Sequence, residues 1–327
     1  MEFRPVARAA GAFQETVSAS EILALCHRGF GQDAVVLSAI ELDGGLYNNT
    51  YRIEFPDRDA VILRVAPEPG RQFRIERRLM RGEQTSLPFF APIAAMMPRT
   101  LFADWTHDLI GRDYVFQTIL DGVPAARAIH DYPRPAWAAL YRQLGAVTKT
   151  VHSVRGERFG PVTGPGYDHW SEAVIRCLED TAADLEDAGL DASDMRAVAT
   201  VAAEQTEALD AIEEPRLLHG DLWTPNLMLA PKAPEPLITG VLDHDRAWWG
   251  DPAADWSVFV ASGKSAAKPF WDTYGTLPCS ADANWRALIY RARHLGAIRL
   301  ERHRLGRDDR IADTYHRMRE VLDLLTT

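Results

Sequence analysis

Three side chains in one short stretch have the types and spacing that metal-assisted phosphoryl transfer asks of a protein. The run Leu217-Leu218-His219-Gly220-Asp221-Leu222-Trp223-Thr224-Pro225-Asn226 leads into Leu227-Met228-Leu229 and, after a second apolar run, into Leu242-Asp243-His244-Asp245. A transferred phosphoryl group needs little covalent help, so the protein must position a hydroxyl and neutralise charge through Mg²⁺. Asp221 is the carboxylate placed to meet a hydroxyl, while Asn226 and Asp243 supply an amide and a second carboxylate for metal. Such oxygen ligands suit Mg²⁺, which keeps several waters and binds few carboxylates.

The intervening residues explain how the three converge. Residues 227–229 read as a short strand, 231–236 as a proline-rich turn and 237–242 as a returning strand. A hairpin brings its outer ends together, so Asn226 and Asp243 face a common point, with Asp221 on the preceding loop.

The order of further motifs carries a family resemblance. His219-Gly220-Asp221 with Asn226, then Gly240-Val241-Leu242-Asp243 and Trp249-Gly250-Asp251-Pro252-Ala253-Ala254-Asp255, resembles the aminoglycoside phosphotransferase and choline kinase group, relatives of the protein kinases. Upstream, residues 44–52 resemble that group's nucleotide-covering hairpin, 61–65 its strand with a phosphate-binding cation, and 114–122 its hinge. The resemblance implies an α+β, bilobal, protein-kinase-like fold: a small β-rich lobe over 1–116, a hinge over 117–122 and a larger, mainly helical lobe over 123–327, with the active site in the cleft between lobes. It implies ATP and Mg²⁺ as cofactors, with GTP left open. Gly44, Gly45 and Asn48 are expected over the phosphates, Arg64 binding them, and Glu76, on a helix, as the partner of Arg64. Hinge backbone near Thr118 and Leu120 is expected to bind the base, and Asp255 to hold the backbone of the catalytic loop. Arg64 stands where protein kinases usually carry Lys; it keeps the charge and forks onto phosphate oxygens.

Composition bounds these readings. The 327 residues, 46% hydrophobic and 25% charged, suit a globular protein with two substantial cores. Cys26, Cys177 and Cys279 are far apart and odd in number, which offers neither a disulfide framework nor a metal spacing and fits a reducing cytoplasm. The first residues lack the basic start and long apolar run of a signal peptide, and Ser18 with Glu21 forms a capping box that opens a helix. No apolar run is long enough to span a membrane. A formal charge of −10 argues against nucleic acid, whose binding relies on clustered Lys and Arg.

Residues 50–55 and 60–65 read as strands, 73–81 as a helix, and 137–152 as a helix with apolar spacing at Trp137, Leu140, Tyr141, Leu144, Val147 and Val151. Residues 167–212 read as two acidic helices broken near Gly189, and 284–325 as a helical close. From 171 to 214 there are thirteen acidic residues against two basic ones, a segment expected to help recruit a cationic acceptor, and from 286 to 319 ten Arg against four acids. Asp245 shares a face with Asp243 in an extended segment and is a candidate for a second metal or substrate contact. Trp223, Trp248 and Trp249 cluster in sequence and offer a wall for a sugar ring or cationic group, with Trp223 and Trp249 as acceptor candidates.

With these residues, the resemblance implies transfer of the γ-phosphoryl of ATP to a hydroxyl of a small molecule, an aminoglycoside or other cationic antibiotic. A ketosamine, choline or sugar kinase and a nucleotide-binding pseudokinase scaffold are the alternatives, and monomer and homodimer both stay open.

Overall fold

Period-two alternation builds the first sheet. In the computed structural model, which describes residues 1–9, 11–264 and 267–326, β1 (Glu2–Arg4), β2 (Ser38–Glu41), β3 (Asn49–Glu54), β4 (Val61–Val65), β5 (Thr100–Asp104) and β6 (Tyr114–Thr118) pair in the order β1-β2-β3-β4-β6-β5. Along β3, Asn49, Tyr51 and Ile53 are buried while Thr50, Arg52 and Glu54 are half-exposed, as expected of a strand with one face on a core. Helix α1 (Ala19–Phe30) packs Ile22, Leu25 and Cys26 with Tyr51, Ile53, Leu63 and Phe116. Its capping box is present: Glu21 N–H donates to Ser18 Oγ at 3.3 Å, and Ser18 N–H donates to Glu21 Oε2 at 2.7 Å.

These elements belong to a first compact unit, Met1–Gln72 with Met96–Asp121; Phe73–Ala95 and Gly122–Thr327 form the second. The first unit is therefore not the uninterrupted stretch 1–116, and the helix expected over 73–81 is a 3₁₀ turn, Arg74–Glu76, followed by α2 (Leu79–Ser86). Glu76 lies on the turn. The cause is Asp184, whose carboxylate accepts the N–H of Arg74 at 2.9 Å, the N–H of Ile75 at 3.2 Å and the Arg74 guanidinium at 2.9 Å. Arg78 then adopts a left-handed conformation, φ 63°, which an L side chain resists and which separates turn from helix.

The rest of the second unit is mainly helical. Its helices are α3 (Ala125–Ala128), α4 (Trp137–His152), α5 (Trp170–Asp187), α6 (Ser193–Glu204), α7 (Thr206–Asp210), α8 (Trp256–Ser262), α9 (Lys268–Tyr274), α10 (Ala281–Arg304) and α11 (Ile311–Leu325). Trp170, Leu178, Leu185, Met195, Val198, Leu295 and Met318 share one core. Gly189, at φ 73°, ends the first acidic helix where the break was expected, and Gly306, at φ 64°, divides the closing segment into α10 and α11. Two small sheets complete the unit: β7 (Val123–Pro124), β10 (Leu227–Leu229) and β11 (Ile238–Val241) in the order β11-β10-β7, and β8 (Gly160–Pro161), β9 (Arg216–Leu218) and β12 (Trp248–Gly250) in the order β8-β12-β9. Among the described residues, no helix is long and apolar enough to cross a membrane.

Helix α4 must approach α9 closely, because its last residue, His152, reaches the site described below. A Cβ on Gly145 would lie 2.3 Å from the carbonyl oxygen of Phe270 and 2.4 Å from Thr273 Oγ1. Gly145→Ala should therefore force the helices apart and cost about 1–3 kcal/mol, read as a lower urea midpoint at constant m-value. An unchanged midpoint would mean that this contact yields without strain.

Candidate active site

Strand β9 delivers the chain to His219-Gly220-Asp221, and β12 pairs with it so that Trp248 lies opposite Leu218 and Gly250 opposite Arg216. Because β12 runs on into Asp251 and Asp255, this pairing brings Asp255 to the loop. Its carboxylate accepts the N–H of His219 at 3.0 Å, the N–H of Gly220 at 2.9 Å and Nε2 of His152 at 2.8 Å, while His152 Nδ1 meets the Tyr274 hydroxyl at 2.9 Å. Burial alone would raise this carboxyl; the hydrogen bond and charge of His152, the charge of His219 and the Gly220 N–H outweigh it and hold it down at about 2. The glycine is required twice over: Gly220 has φ 82°, and a Cβ there would lie 2.1 Å from the carbonyl oxygen of Arg246.

The expected hairpin forms, with Leu227 paired to Val241 and Leu242 N–H donating to Asn226 C=O at 2.9 Å. Asn226 and Asp243 thereby sit at its open end. Asn226 Nδ2 donates at 2.8 Å both to the Asp221 carbonyl and to Asp221 Oδ2, which leaves Oδ1 as the oxygen it can offer a cation. Asp243 is held at φ 57°, a left-handed conformation that costs a non-glycine residue roughly 1–3 kcal/mol and concentrates at functional sites. Half-buried Asp221 has its carboxyl raised well above the usual range, first by burial, with Asp245 and Asp243 adding to the shift and Arg246 and the Asn226 hydrogen bond opposing it. A cation held by Asn226 and Asp243 would relieve that repulsion, so the donor set fits Mg²⁺ with its remaining positions filled by phosphate and water. Among the described residues, no group of three or more His, Cys, Asp or Glu could hold a metal by itself.

In the first unit, the loop with Gly44, Gly45 and Asn48 joins β2 to β3, and Arg64 pairs with Thr50 of β3 and Val115 of β6. Gln14, which sequence reading passed over, donates to the carbonyls of Gly45 at 3.2 Å and Asn48 at 2.8 Å and ties the N-terminal segment to this loop. At the expected hinge, Thr118 N–H donates to Arg99 C=O and its hydroxyl accepts the Arg99 N–H, both at 2.9 Å, because the chain at Arg99 extends the β5–β6 pairing. Leu120 lies beyond the strand. Glu76 belongs to the second unit, where its carboxylate accepts from Arg246 at 3.1 Å and from Arg304 at 2.5 Å.

The tryptophans do not form one wall. Trp223 meets Trp256 edge-on at 5.7 Å, whereas Trp248 packs on Trp170 and under Arg293, and Trp249 packs against Phe89 and over Gly156. Trp248 and Trp249 are strand neighbours and so point to opposite faces. His244, fully buried, packs edge-on to Phe90 at 4.8 Å. Much of the acidic run 171–214 is structural: Asp184 fastens Arg74, Asp210 accepts the N–H and hydroxyl of Ser171, and Asp194 takes both guanidinium nitrogens of Arg299.

Residues 38–289, more than half of the chain, match the model of the phosphotransferase enzyme family. This chain belongs to that family. It is a phosphotransferase, and its fold is the protein-kinase-like α+β one. Similar solved structures include one assigned as a fructosamine-3-kinase from Haemophilus somnus 129PT (15% identity, 94% of this chain and 97% of that chain, TM-score 0.64). They also include a thermostable mutant of aminoglycoside phosphotransferase APH(4)-Ia in its apo form (18%, 93% and 98%, 0.64), and another in ternary complex with AMP-PNP and hygromycin B (17%, 93% and 98%, 0.62). A search of curated proteins gave no match.

Buried histidines give the phosphotransferase a pH signature. Burial pushes His219 down to about 4 against the opposing charge of Asp255, and burial with the charge of Arg293 pushes His294 down to about 3. The unfolded chain takes up these protons near pH 6.5, so below that pH the unfolded state binds more of them and each histidine's contribution to stability is lost as pH falls. Asp221, raised in the folded chain, acts in the opposite sense. His294→Gln should therefore flatten the decline of urea-unfolding stability between pH 6.5 and 4 by on the order of 3 kcal/mol, at about 1.4 kcal/mol per pKa unit. Parallel curves for variant and parent would refute this account of His294.

Proposed function

We propose that this enzyme transfers the γ-phosphoryl of ATP to a hydroxyl of a cationic small molecule, an aminoglycoside or another cationic antibiotic. The observation that carries the reading is Asp221, held by Asn226 Nδ2 at 2.8 Å on a loop whose backbone is locked by Asp255. Asp221 orients the acceptor hydroxyl and takes its proton. Asn226 and Asp243 would hold Mg²⁺, which neutralises charge on the phosphates when bound. Gly44, Gly45 and Asn48 cover the phosphates, Arg64 binds them, and hinge backbone near Thr118 and Leu120 meets the base, an arrangement that leaves GTP open. Work in the cytoplasm fits three free cysteines.

A cationic acceptor suits the carboxylates Asp221, Asp243 and Asp245, with Trp223, two residues after Asp221, as a candidate aromatic surface. The bond network of the acidic run argues against a recruiting role for Asp184, Asp194 and Asp210. The fold likeness to a fructosamine-3-kinase supports a second reading, a ketosamine as acceptor. A panel of aminoglycosides and ketosamines with labelled ATP and Mg²⁺, read by product mass, separates the two; binding of ATP without transfer to any acceptor would favour a pseudokinase scaffold.

Asp221→Asn should lower kcat about a thousandfold, within the range for lost acid–base participation, with nucleotide affinity nearly unchanged. Asp243→Asn should weaken Mg²⁺-dependent nucleotide binding as well as turnover, which calorimetry with and without Mg²⁺ would measure. Equal, modest losses in both variants would contradict separate roles. Arg64→Ala should raise the KM for ATP and lower kcat through lost charge stabilisation; unchanged kinetics would remove Arg64 from the site.

A further inference from the structure

A row of alternating charges links the far end of α10 to the loop that carries Asp221. Arg304, the last residue of α10, donates from Nη1 to Glu76 Oε2 at 2.5 Å, and Arg246 donates from Nη2 to Glu76 Oε1 at 3.1 Å. Glu76 is 4% exposed, as is the Arg304 side chain. Beyond Glu76, Arg246 faces the negative charges of Asp245 and Asp221.

The backbone follows the same path. The Arg246 carbonyl fills the place a Cβ on Gly220 would need, and the Asp245 carbonyl lies 3.0 Å from where a Cβ on Gly82 of α2 would be. Phe90 packs edge-on to both His219, at 5.7 Å, and His244. The segment 73–95 thus touches the Asp221 loop and the Asp243–Arg246 loop at three places, and Arg304 anchors its start.

We propose that Arg304 is a positioning residue, acting through Glu76 on Arg246 to set how Asp221 is presented to the acceptor hydroxyl. The proposal rests on the reading of Asp221 given above. Removing Arg304 takes a charged donor from a buried carboxylate. Arg246 is then drawn fully to Glu76 and away from Asp221. A Glu76 that served only the nucleotide phosphates would change ATP affinity instead, so kcat and KM separate the two roles.

The test uses the full chain as R304M and R304K. R304M should lower kcat about ten- to a hundredfold, the scale of a small misplacement of a reacting group, with the KM for ATP within about twofold. Amide hydrogen exchange should quicken in residues 219–222 and 243–247 and stay unchanged in β3 and β4. R304K, which keeps the charge and a donor, should recover most of the lost kcat. A raised KM for ATP with kcat preserved would overturn the proposal, and so would unchanged exchange in both loops. If R304M does not fold, R304K alone decides, by a smaller loss of kcat and a partial rise in exchange at the same residues. A parent enzyme that phosphorylates nothing in the acceptor panel would defeat the proposed function, while the exchange experiment still decides the link.

Discussion

The carboxylate of Asp255 is the constraint on which the rest of the second unit depends. A fully buried carboxylate is expensive unless its oxygens are hydrogen-bonded and charge-compensated, and here both are engaged, by two loop N–H groups and by His152. Three separate stretches, α4, the β9 loop and the segment after β12, meet at that group. Four residues earlier, Asp251 faces the other way and accepts from Ala253 N–H, Arg286 Nε and the Tyr290 hydroxyl, which in turn accepts from Trp170 Nε1. One short acidic motif therefore ties the Asp221 loop to α4 on one side and to α5 and α10 on the other. Losing either carboxylate would strand buried donors, which is why the motif is a structural demand of the loop as much as a chemical signature.

Around Asp221 the chain accepts costs that a purely structural loop would avoid. Asp243 is held in a left-handed conformation, and Asp221, Asp243 and Asp245 crowd like charges together. Arg246 offsets part of that repulsion; a bound cation would offset more. The arrangement is pre-organised for positive charge rather than relaxed without it.

Charge elsewhere is spent on cohesion. The acidic run and the arginine-rich close meet in Asp194 and Arg299, and Arg74 joins Asp184 and Asp187. The pairing of Arg299 with Asp194 is buried and bidentate, the geometry in which a guanidinium is most specific. What reads along the chain as two opposed charge blocks meets, in three dimensions, in the Asp194–Arg299 pair, while other members of each block fasten neighbouring segments.

By itself the sequence determined the family of the chain and most of the elements that carry the candidate site. The hairpin 227–241, the helix 137–152 and the capping box at Ser18 were legible because each depends on local periodicity or on residues close along the chain, whereas the hold of Asp255 on the loop, 35 residues away, was anticipated only through the family resemblance. The sequence left undecided what depends on packing between distant segments. Tertiary structure assigned Phe73–Ala95 to the second unit, engaged Thr118 with Arg99, split the tryptophans among three surroundings and brought Arg304 to Glu76. None of these has a period or a spacing to read: a side chain's partner across the fold is chosen by which elements pack together, and only the folded chain sums those choices.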